Sequence, residues 1–405
     1  MCAMTDARAP APPHLSPPLV ALFAFTCGAI VGNLYYAQPI IELIAPDVGL
    51  SQTTASLIVS LTQVGYVAGM VFITPLLDLF ENKRLILVTL GLAFASLILS
   101  ATAQNGGLFL FVAFLTGLGA VSVQMLIPLA AHLSPEETRG RTVGKIMAGL
   151  LTGILLSRPL SSFVADHLGW RSVFFIAAGL MIAIGLVLAL TLPQRRPTHT
   201  ASYGALLRSM ASLWLSQPVL RQRSLLQATM FGAFSLFWTA VPMELFRAFH
   251  LSQSQIALFA LSGAAGALAA PLSGWLGDAG HGAKVTLLGL IGAALAMLSG
   301  TVPALISILA LMVAGIVLDA CVQLTMIQGQ RAIYGLDPHS RGRLNGLYMA
   351  SIFVGGAIGS AVASPLYGLG GWTAIAVAGT VAPVIGLVLF LNGERKTASS
   401  PAPSR

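Results

Sequence analysis

One acidic residue stands in the middle of a long apolar stretch in the second half of the chain. Asp319 precedes Arg331 by 12 residues, which in a helix rising 1.5 Å per residue is about 18 Å. Ionisable groups at that depth in a membrane are costly and usually functional, and a carboxylate there can take up and release a proton. The same helix face carries a polar stripe at i, i+4, i+7 and i+11 spacing, made of Asp319, Gln323, Met326 and Gln330. The stripe predicts a cavity-lining face, with Asp319 as a proton-coupling or substrate-binding carboxylate; a structural aspartate bonded to neighbouring helices is the alternative.

Four further ionisable residues fall within apolar stretches or at their ends. Arg158 lies in the outer third of its stretch and cannot lose its proton, so it needs either a partner, for which Glu42 is the candidate, or an anionic ligand. Glu42, Glu244 and Arg247 lie at stretch ends, where water or lipid headgroups reach them. They are interpreted either as solvated helix ends or, for the two glutamates, as an acidic outer mouth that attracts cations.

The sequence carries none of the usual signatures of an enzyme. All seven histidines fall in predicted loops or tails, and the three cysteines have neither paired nor metal-binding spacing. Gly117 opens a glycine-rich run that imitates a dinucleotide loop, but the run lies inside an apolar stretch with no strand before it. We therefore predict no enzymatic activity, no cofactor and no metal site.

Composition indicates that the solvent around this chain is lipid. Hydrophobic residues make up 56% of the 405 residues and charged residues only 8%, against about a quarter in soluble domains. The apolar stretches are continuous rather than alternating, which favours helices over a β-barrel. The net charge of +8 is attributed to basic residues that set membrane topology rather than to nucleic-acid binding.

Twelve apolar stretches can be marked along the chain, most of them joined by short loops. They cover residues 19–44, 53–77, 85–103, 107–131, 146–165, 173–192, 224–248, 254–277, 285–301, 304–328, 345–367 and 373–392. The resulting division is a disordered cytoplasmic N-terminus over 1–18, a six-helix bundle over 19–192, a connector over 193–223, a second bundle over 224–392 and a disordered cytoplasmic tail over 393–405. Within the connector, the stretch that starts at Tyr203 has amphipathic helical spacing and is expected to lie along the membrane surface.

Basic residues predict the orientation of the chain in the membrane. If both termini are cytoplasmic, 18 of the 21 Lys and Arg residues fall on the cytoplasmic side, and the remaining three are Arg158, Arg171 and Arg247. The opposite orientation would invert this asymmetry. We expect a multi-pass protein of the bacterial inner membrane, acting as a monomer.

The chain also repeats itself at an offset of about 200 residues. Asp78 matches Asp278, Gln124 matches Gln323, and each pair occupies the same place in the predicted topology. Three further matches join PEETRGRTVGKIM to PHSRGRLNGLYM, HLGWRS to GLGGWTA, and LSQ at 50–52 to LSQ at 251–253. Five matches in register predict two pseudo-symmetric six-helix bundles related by an axis along the membrane normal.

These features resemble the major facilitator superfamily, and the resemblance covers residues 19–392. The family's loop signature G-x-L-a-D-r-x-G-r-K is similar to the segment holding Leu76, Asp78, Lys83 and Arg84, although Thr74, Leu79 and Glu81 depart from it. A weaker copy keeps Gly274, Leu276, Asp278 and Lys284. The stretches NLYYAQP from Asn33 and GILLSRPLSS from Gly153 resemble bacterial drug or metabolite:proton antiporters of the efflux type.

Two family features of proton antiporters are missing or incomplete. Ala113 occupies the position, four residues before Gly117, at which such antiporters often carry an arginine. The antiporter signature of the fifth helix survives only loosely, as Gly149, Gly153 and Pro159.

The resemblance also implies roles for particular residues. Helices 1, 4, 7 and 10 line the central cavity of the family, which implies substrate contacts for a set of polar and aromatic residues: Asn33, Tyr36, Gln38, Gln124, Trp238, Asp319 and Gln323. Plain helix packing is the alternative for each. The loop aspartates and basic residues would gate the cytoplasmic face: Asp78, Lys83, Arg84, Arg139, Arg141, Asp278, Lys284, Arg341 and Arg343.

The function expected from these observations is proton-coupled efflux of a small organic compound by alternating access. A proton-coupled importer or a uniporter is the nearest alternative, and a non-transporting membrane receptor is the alternative of another class. The expected partners are a small-molecule substrate, protons and the lipid bilayer.

Overall fold

The computed structural model describes residues 16–194, 202–302, 304, 306–337 and 340–399. Within these ranges every regular element is a helix, which confirms the predicted all-α membrane class. Most of the two predicted tails lies outside the described residues, although the last helix continues to Ser399, past its predicted end at residue 392.

Eleven stretches of helix form the transmembrane body. We label the first ten in chain order as α1 (Pro17–Gly32), α2 (Leu57–Asp78), α3 (Asn82–Thr102), α4 (Gly106–His132), α5 (Glu136–Leu168), α6 (Trp170–Thr191), α7 (Pro218–Arg247), α8 (Gln253–Asp278), α9 (Gly282–Thr301) and α10 (Ile308–Tyr334). The last, Arg341–Ser399, has non-helical dihedral angles at Gly370 and Gly371 and therefore consists of two helices, α11 (341–369) and α12 (372–399).

The described helices are compatible with the twelve predicted segments. Ten stretches are long and apolar enough to cross a membrane, namely α2 to α10 and the joined α11 and α12. Helix α1 is a shorter apolar helix. Dividing the last stretch at its glycine kink and adding α1 gives twelve.

The first segment is broken, where the sequence predicted one continuous helix. After Gly32 the chain passes through turns at residues 33–37, a short 3₁₀ helix at Gln38–Ile40 and a final helix at Ile41–Asp47. Pro39 has no backbone N–H to donate, so an unbroken helix cannot be hydrogen-bonded through this point. The break changes which side chains of the NLYYAQP stretch face the middle of the protein.

Glycines bring helices into backbone contact at equivalent places in the two halves. A Cβ on Gly153 of α5 would lie 2.2 Å from the carbonyl oxygen of Gly28 in α1, and a Cβ on Gly359 of α11 would lie 2.1 Å from that of Gly232 in α7. No other residue fits at such distances, which are typical of close packing of membrane helices through small residues. The repeated contact agrees with the internal repeat of the sequence.

The connector contains a helix at Tyr203–Ser216, which starts where the amphipathic pattern begins. The hydroxyl of Tyr203 donates to the carbonyl of Phe72 at 2.8 Å, so this helix lies against the end of α2. Helix α7 begins at Pro218, six residues before the predicted start at 224. Proline is favoured in the first turn of a helix, and the earlier start places Arg221 and Arg223 in the helix rather than in a loop. Arg221 donates to the carbonyl of Trp214 at 2.8 Å, which ties the start of α7 to the connector helix. We call the side of the molecule that holds the connector helix the connector face, and the other side the far face.

Candidate functional site

A cavity of about 220 Å³ lies between the two halves of the molecule. The first half contributes Tyr35 and α5, and the second half contributes residues of α7, α8, α10 and α11. All four residues of the polar stripe on α10 line this cavity: Asp319, Gln323, Met326 and Gln330. Most other lining residues are aliphatic or aromatic. The cavity is therefore apolar, with a few polar groups, as small-molecule sites usually are.

Asp319 is held in place by two neighbouring helices of its own half. The indole nitrogen of Trp238 on α7 donates to Oδ1 of Asp319 at 2.7 Å. Helix α8 packs directly against the same residue, because a Cβ on Gly266 would lie 2.4 Å from the Cβ of Asp319. Asp319 is 9% exposed, and its second oxygen, Oδ2, accepts no hydrogen bond from the described residues. One oxygen is thus fixed by the protein while the other is left for a ligand or a proton.

Arg158 lines the same cavity from the opposite half. Its Nε donates to Oε1 of Gln38 at 2.8 Å, and Gln38 in turn donates to Oγ1 of Thr239 at 3.0 Å. The predicted pairing of Arg158 with Glu42 is therefore wrong. The break after Gly32 brings Gln38 to the guanidinium, while Glu42 lies in the next short helix, Ile41–Asp47, and bonds to Arg247.

Aromatic rings enclose the guanidinium of Arg158. Its Cζ lies 4.6 Å from the ring centre of Trp238, 5.0 Å from that of Tyr35 and 5.3 Å from that of Phe234. Cation–π contacts of this kind can hold a buried arginine in place. The side chain is 6% exposed, and its Nη2 is fully buried without a hydrogen-bond partner in the described structure.

The cation and the carboxylate are thus joined through one indole. Trp238 presents its ring face to Arg158 and its N–H to Asp319. No hydrogen bond or ion pair links Arg158 to Asp319 directly among the described residues. Each charge acts on the other through a medium of low polarity, in which electrostatic interactions are stronger than in water.

The predicted cavity residues divide into those that reach this site and those that do not. Gln38 and Trp238 contact its charged groups, whereas Asn33 donates to the sulfur of Met181 at 3.4 Å, away from the cavity. Tyr36 was also predicted to line the cavity, but Tyr35 lines it instead. Tyr35 and Phe234 also line the site and were not predicted from the sequence. The need of a buried arginine for aromatic or polar neighbours was the one signal that could have suggested them.

Gln124 belongs to a second cavity, nearer the connector face. This cavity has a volume of about 250 Å³ and is lined by Asp78, Gln124, Met210 of the connector helix and Arg343 of α11, among others. The side-chain amide of Gln124 donates to the hydroxyl of Tyr66 at 2.9 Å. Space between the halves therefore remains on the connector side.

On the far face the two halves are joined by hydrogen bonds. The hydroxyls of Ser60 and Ser360 share a bond of 2.9 Å, and Gln63 donates to Ser235 at 3.0 Å. Further bonds join Ser56 to Ser364 in both directions, at 3.1 and 3.2 Å. The molecule is thus closed at its far face.

An ion pair reinforces this closure. Arg247 donates to both carboxylate oxygens of Glu42, at 2.8 and 3.0 Å, and so links α7 to the first segment. Glu244 accepts from the hydroxyl of Tyr367 at 2.7 Å. The two glutamates are therefore engaged by partners, and the hypothesis of an open acidic mouth does not fit this structure.

The predicted gating residues lie at helix ends on the connector face. Asp278 pairs with Arg331 at 2.5 Å, joining α8 to α10. Arg139 and Arg341 donate to main-chain carbonyls of Ala131 and Tyr334, at 3.0 and 3.2 Å, and so cap the ends of the preceding helices. Arg343 donates to Ser209 of the connector helix at 2.8 Å. Asp78, Arg84, Arg141 and Lys284 are exposed, while Lys83 is half-buried.

Comparison with known proteins identifies the family. The sequence profile of the Major Facilitator Superfamily matches residues 20–230 and 223–405. This chain belongs to that superfamily. Among its relatives, the "Uncharacterized transporter YgaY" of Escherichia coli O157:H7 is 39% identical over 384 residues, which cover 94% of this chain and 96% of YgaY.

Solved structures of the superfamily share the fold. A crystal structure of a D-xylose-proton symporter matches with a TM-score of 0.74 at 14% identity, covering 92% of this chain and 97% of the symporter. A bacterial homologue of the human lysosomal transporter Spinster, solved in an inward-facing and unoccupied conformation, matches with a TM-score of 0.73 at 14% identity, covering 95% and 98%. The chain is therefore a multi-pass membrane transporter with the major facilitator fold, and not an enzyme.

Proposed function

We propose that this transporter exports a small organic compound in exchange for protons, by alternating access, with Asp319 as the group that carries the proton. One observation supports this above the others: Asp319 is buried at the seam between the halves, lines the central cavity and has only one oxygen hydrogen-bonded among the residues that the structure describes. A carboxylate so placed can exchange a proton for a ligand group when the cavity opens to either side.

Charge in the cavity explains how proton and substrate would be coupled. With Asp319 ionised, Arg158 is balanced and the cavity is neutral; with Asp319 protonated, the cavity carries one positive charge. A buried uncompensated charge is costly. Either a proton or a substrate donor group can occupy the free oxygen of Asp319, but not both, and this exclusion is what exchange transport requires.

Closure of the far face and cavities toward the connector fit one state of an alternating-access cycle. If the connector face is cytoplasmic, as the basic residues predict, this state receives substrate from the cytoplasm. The resemblance of the NLYYAQP and GILLSRPLSS stretches to efflux members supports the same direction of transport. Proton-coupled import is the alternative, and the sign of the coupling separates the two.

The test uses everted membrane vesicles whose lumen is acidified. A ligand is first found by a thermal-shift screen of the purified protein against metabolites and antimicrobials, since a bound ligand raises apparent stability. An exchanger accumulates that compound in the acid lumen, a symporter drives it out, and a uniporter does not respond to the pH gradient.

Replacing Asp319 with Asn keeps the shape of the side chain and removes its titration. We expect D319N to lose accumulation driven by the pH gradient. The matched control is Glu136→Gln, which neutralises an acid whose side chain is 84% exposed at the start of α5 and should leave accumulation intact. Unchanged gradient-driven accumulation by D319N would remove Asp319 from the mechanism.

A further inference from the structure

The two charged groups of the cavity have complementary open positions. We propose that the substrate is a small zwitterion with an apolar body, whose anionic group accepts from Arg158 and whose cationic group donates to Asp319. This inference rests on the proposed function and names the class of compound that the same cavity takes.

The anion-binding position is the free edge of Arg158. Aromatic rings cover the faces of the guanidinium, and its Nε is bonded to Gln38. What remains are the two terminal nitrogens: neither Nη1 nor Nη2 donates a hydrogen bond to the described residues, and Nη2 is fully buried. Buried donors are almost always satisfied, so these two unpaired nitrogens on one edge of the guanidinium call for an acceptor, which a ligand in the cavity can supply. A carboxylate suits a guanidinium best, because their planar groups match in geometry and charge.

The cation-binding position is the second oxygen of Asp319. The Trp238 indole fixes Oδ1, whereas Oδ2 accepts no hydrogen bond from the described residues. Helix α8 approaches Oδ2 closely at Gly263, where a Cβ would lie only 2.8 Å from this oxygen. An ionised oxygen in this position accepts best from a charged donor such as an ammonium group. Both positions border the same Trp238 ring, so one compact head group can reach both.

The charge balance excludes compounds with a single charge. Arg158 and ionised Asp319 together carry no net charge. A simple amine would leave the arginine edge unpaired, and a simple carboxylic acid would leave the aspartate oxygen unpaired. Sites built on buried polar groups strongly reject ligands that leave such a group without a partner. A zwitterion satisfies both groups and adds no net charge.

The remaining walls of the cavity limit the size and polarity of the substrate's apolar body. Its walls include Phe231 and Phe353, whose ring centres are 5.2 Å apart, as well as Met326 and Met349. A volume of about 220 Å³ lies below the usual range of about 300 to 1,000 Å³ for small-molecule pockets. The cavity thus suits one phenyl or branched alkyl group better than a large drug.

Competition with the proton follows from the same arrangement. Arg158 and Tyr35 are the charged and titratable groups that face Asp319 across the cavity. Protonated Asp319 can no longer pair with an ammonium group, so a zwitterion and a proton exclude each other at this oxygen.

The test compares three head groups on the same body, with purified full-length protein in detergent at neutral pH. The first series is L-phenylalanine, 2-phenylethylamine and 3-phenylpropanoate; the second is L-leucine, 3-methylbutylamine and 4-methylpentanoate. Calorimetric titration gives each Kd. We expect the zwitterion in at least one series to bind about ten- to a hundredfold more tightly than both singly charged analogues, the range for one hydrogen bond to a charged group.

Two variants then assign each head-group contact. Arg158→Gln should abolish the preference of the zwitterion over the amine, and Asp319→Asn its preference over the acid, while Glu136→Gln keeps both. If R158Q does not fold, R158K, which keeps the charge but loses the planar fork, should show a reduced preference over the amine.

Failure of this proposal is distinct from failure of the proposed function. Absence of a zwitterion preference in both series, including no binding at all, overturns the inference, even if gradient-driven transport of another compound still depends on Asp319. Conversely, a zwitterion preference combined with transport that ignores the pH gradient keeps the substrate class and overturns the proton exchange.

Discussion

Breaking the ion pair between Glu42 and Arg247 should open the far face of the transporter. The pair joins the two halves through hydrogen bonds of 2.8 and 3.0 Å, and its side chains are only 11% and 28% exposed. Hydrogen bonds to charged groups contribute about 1.5–3 kcal/mol each, but both groups regain water when the face opens. A net loss of about 1–3 kcal/mol follows for Glu42→Gln, which shifts the balance between closed and open far faces by about 5- to 150-fold.

The shift can be measured as the labelling rate of one cysteine under this face. Ala357 is buried at the contact between the halves, where its carbonyl accepts from Ser60. Ala357→Cys, in a protein whose three native cysteines are replaced, reports opening through its reaction with a membrane-impermeant thiol reagent. We expect E42Q to raise the rate by about 5- to 150-fold, and the charge exchange E42R/R247E to restore part of the closure.

A second ion pair on the same face is the matched control. Asp47 pairs with Arg171, and both belong to the first half. Asp47→Asn removes a pair of the same kind without separating the halves, so the labelling rate should stay at its original value. An unchanged rate in E42Q, or an equal rise in D47N, would refute the argument that the Glu42–Arg247 pair holds the halves together.

Two further predictions concern helix contacts. Cysteines at Ser60 and Ser360, whose hydroxyls lie 2.9 Å apart, should form a disulfide on mild oxidation that stops transport until a reductant is added; transport that continues in the cross-linked protein would show that this face need not open. Gly153→Leu should lower the thermal unfolding temperature in detergent markedly, because a Cβ there would lie 2.2 Å from the carbonyl oxygen of Gly28. Gly91→Leu, which meets nothing within 4 Å, should leave that temperature almost unchanged, and equal effects would contradict the packing argument.

The fold could be predicted because lipid imposes simple rules on a sequence. Each membrane segment must be about 20 residues long and helical, so apolar length alone located most of the helices. The polar stripe that starts at Asp319 could be read for a similar reason: helical spacing fixes which side chains share a face, and a polar face must meet a cavity or another helix. Both arguments use only residues that are close in the chain.

The remainder of the site depends on contacts between distant residues, which spacing does not determine. Arg158 and Gln38 are 120 positions apart, and their bond forms because the first segment breaks after Gly32. A continuous helix was assumed there, which placed Tyr36 rather than Tyr35 in the cavity. After such a break, the conformation of the turns decides which side chains face the cavity, and helical spacing in the sequence does not determine that conformation. Gln124 was misassigned for a related reason, since its helix faces the second cavity at that level.

The charged groups of the cavity are divided between the two repeats. Arg158 comes from the first repeat, and Asp319 and Trp238 come from the second. A gene cut at the connector would therefore yield two polypeptides, each with an incomplete pocket, and ligand recognition would return only on their reassembly. Chimeras that exchange one repeat with that of a relative would change one end of the pocket at a time.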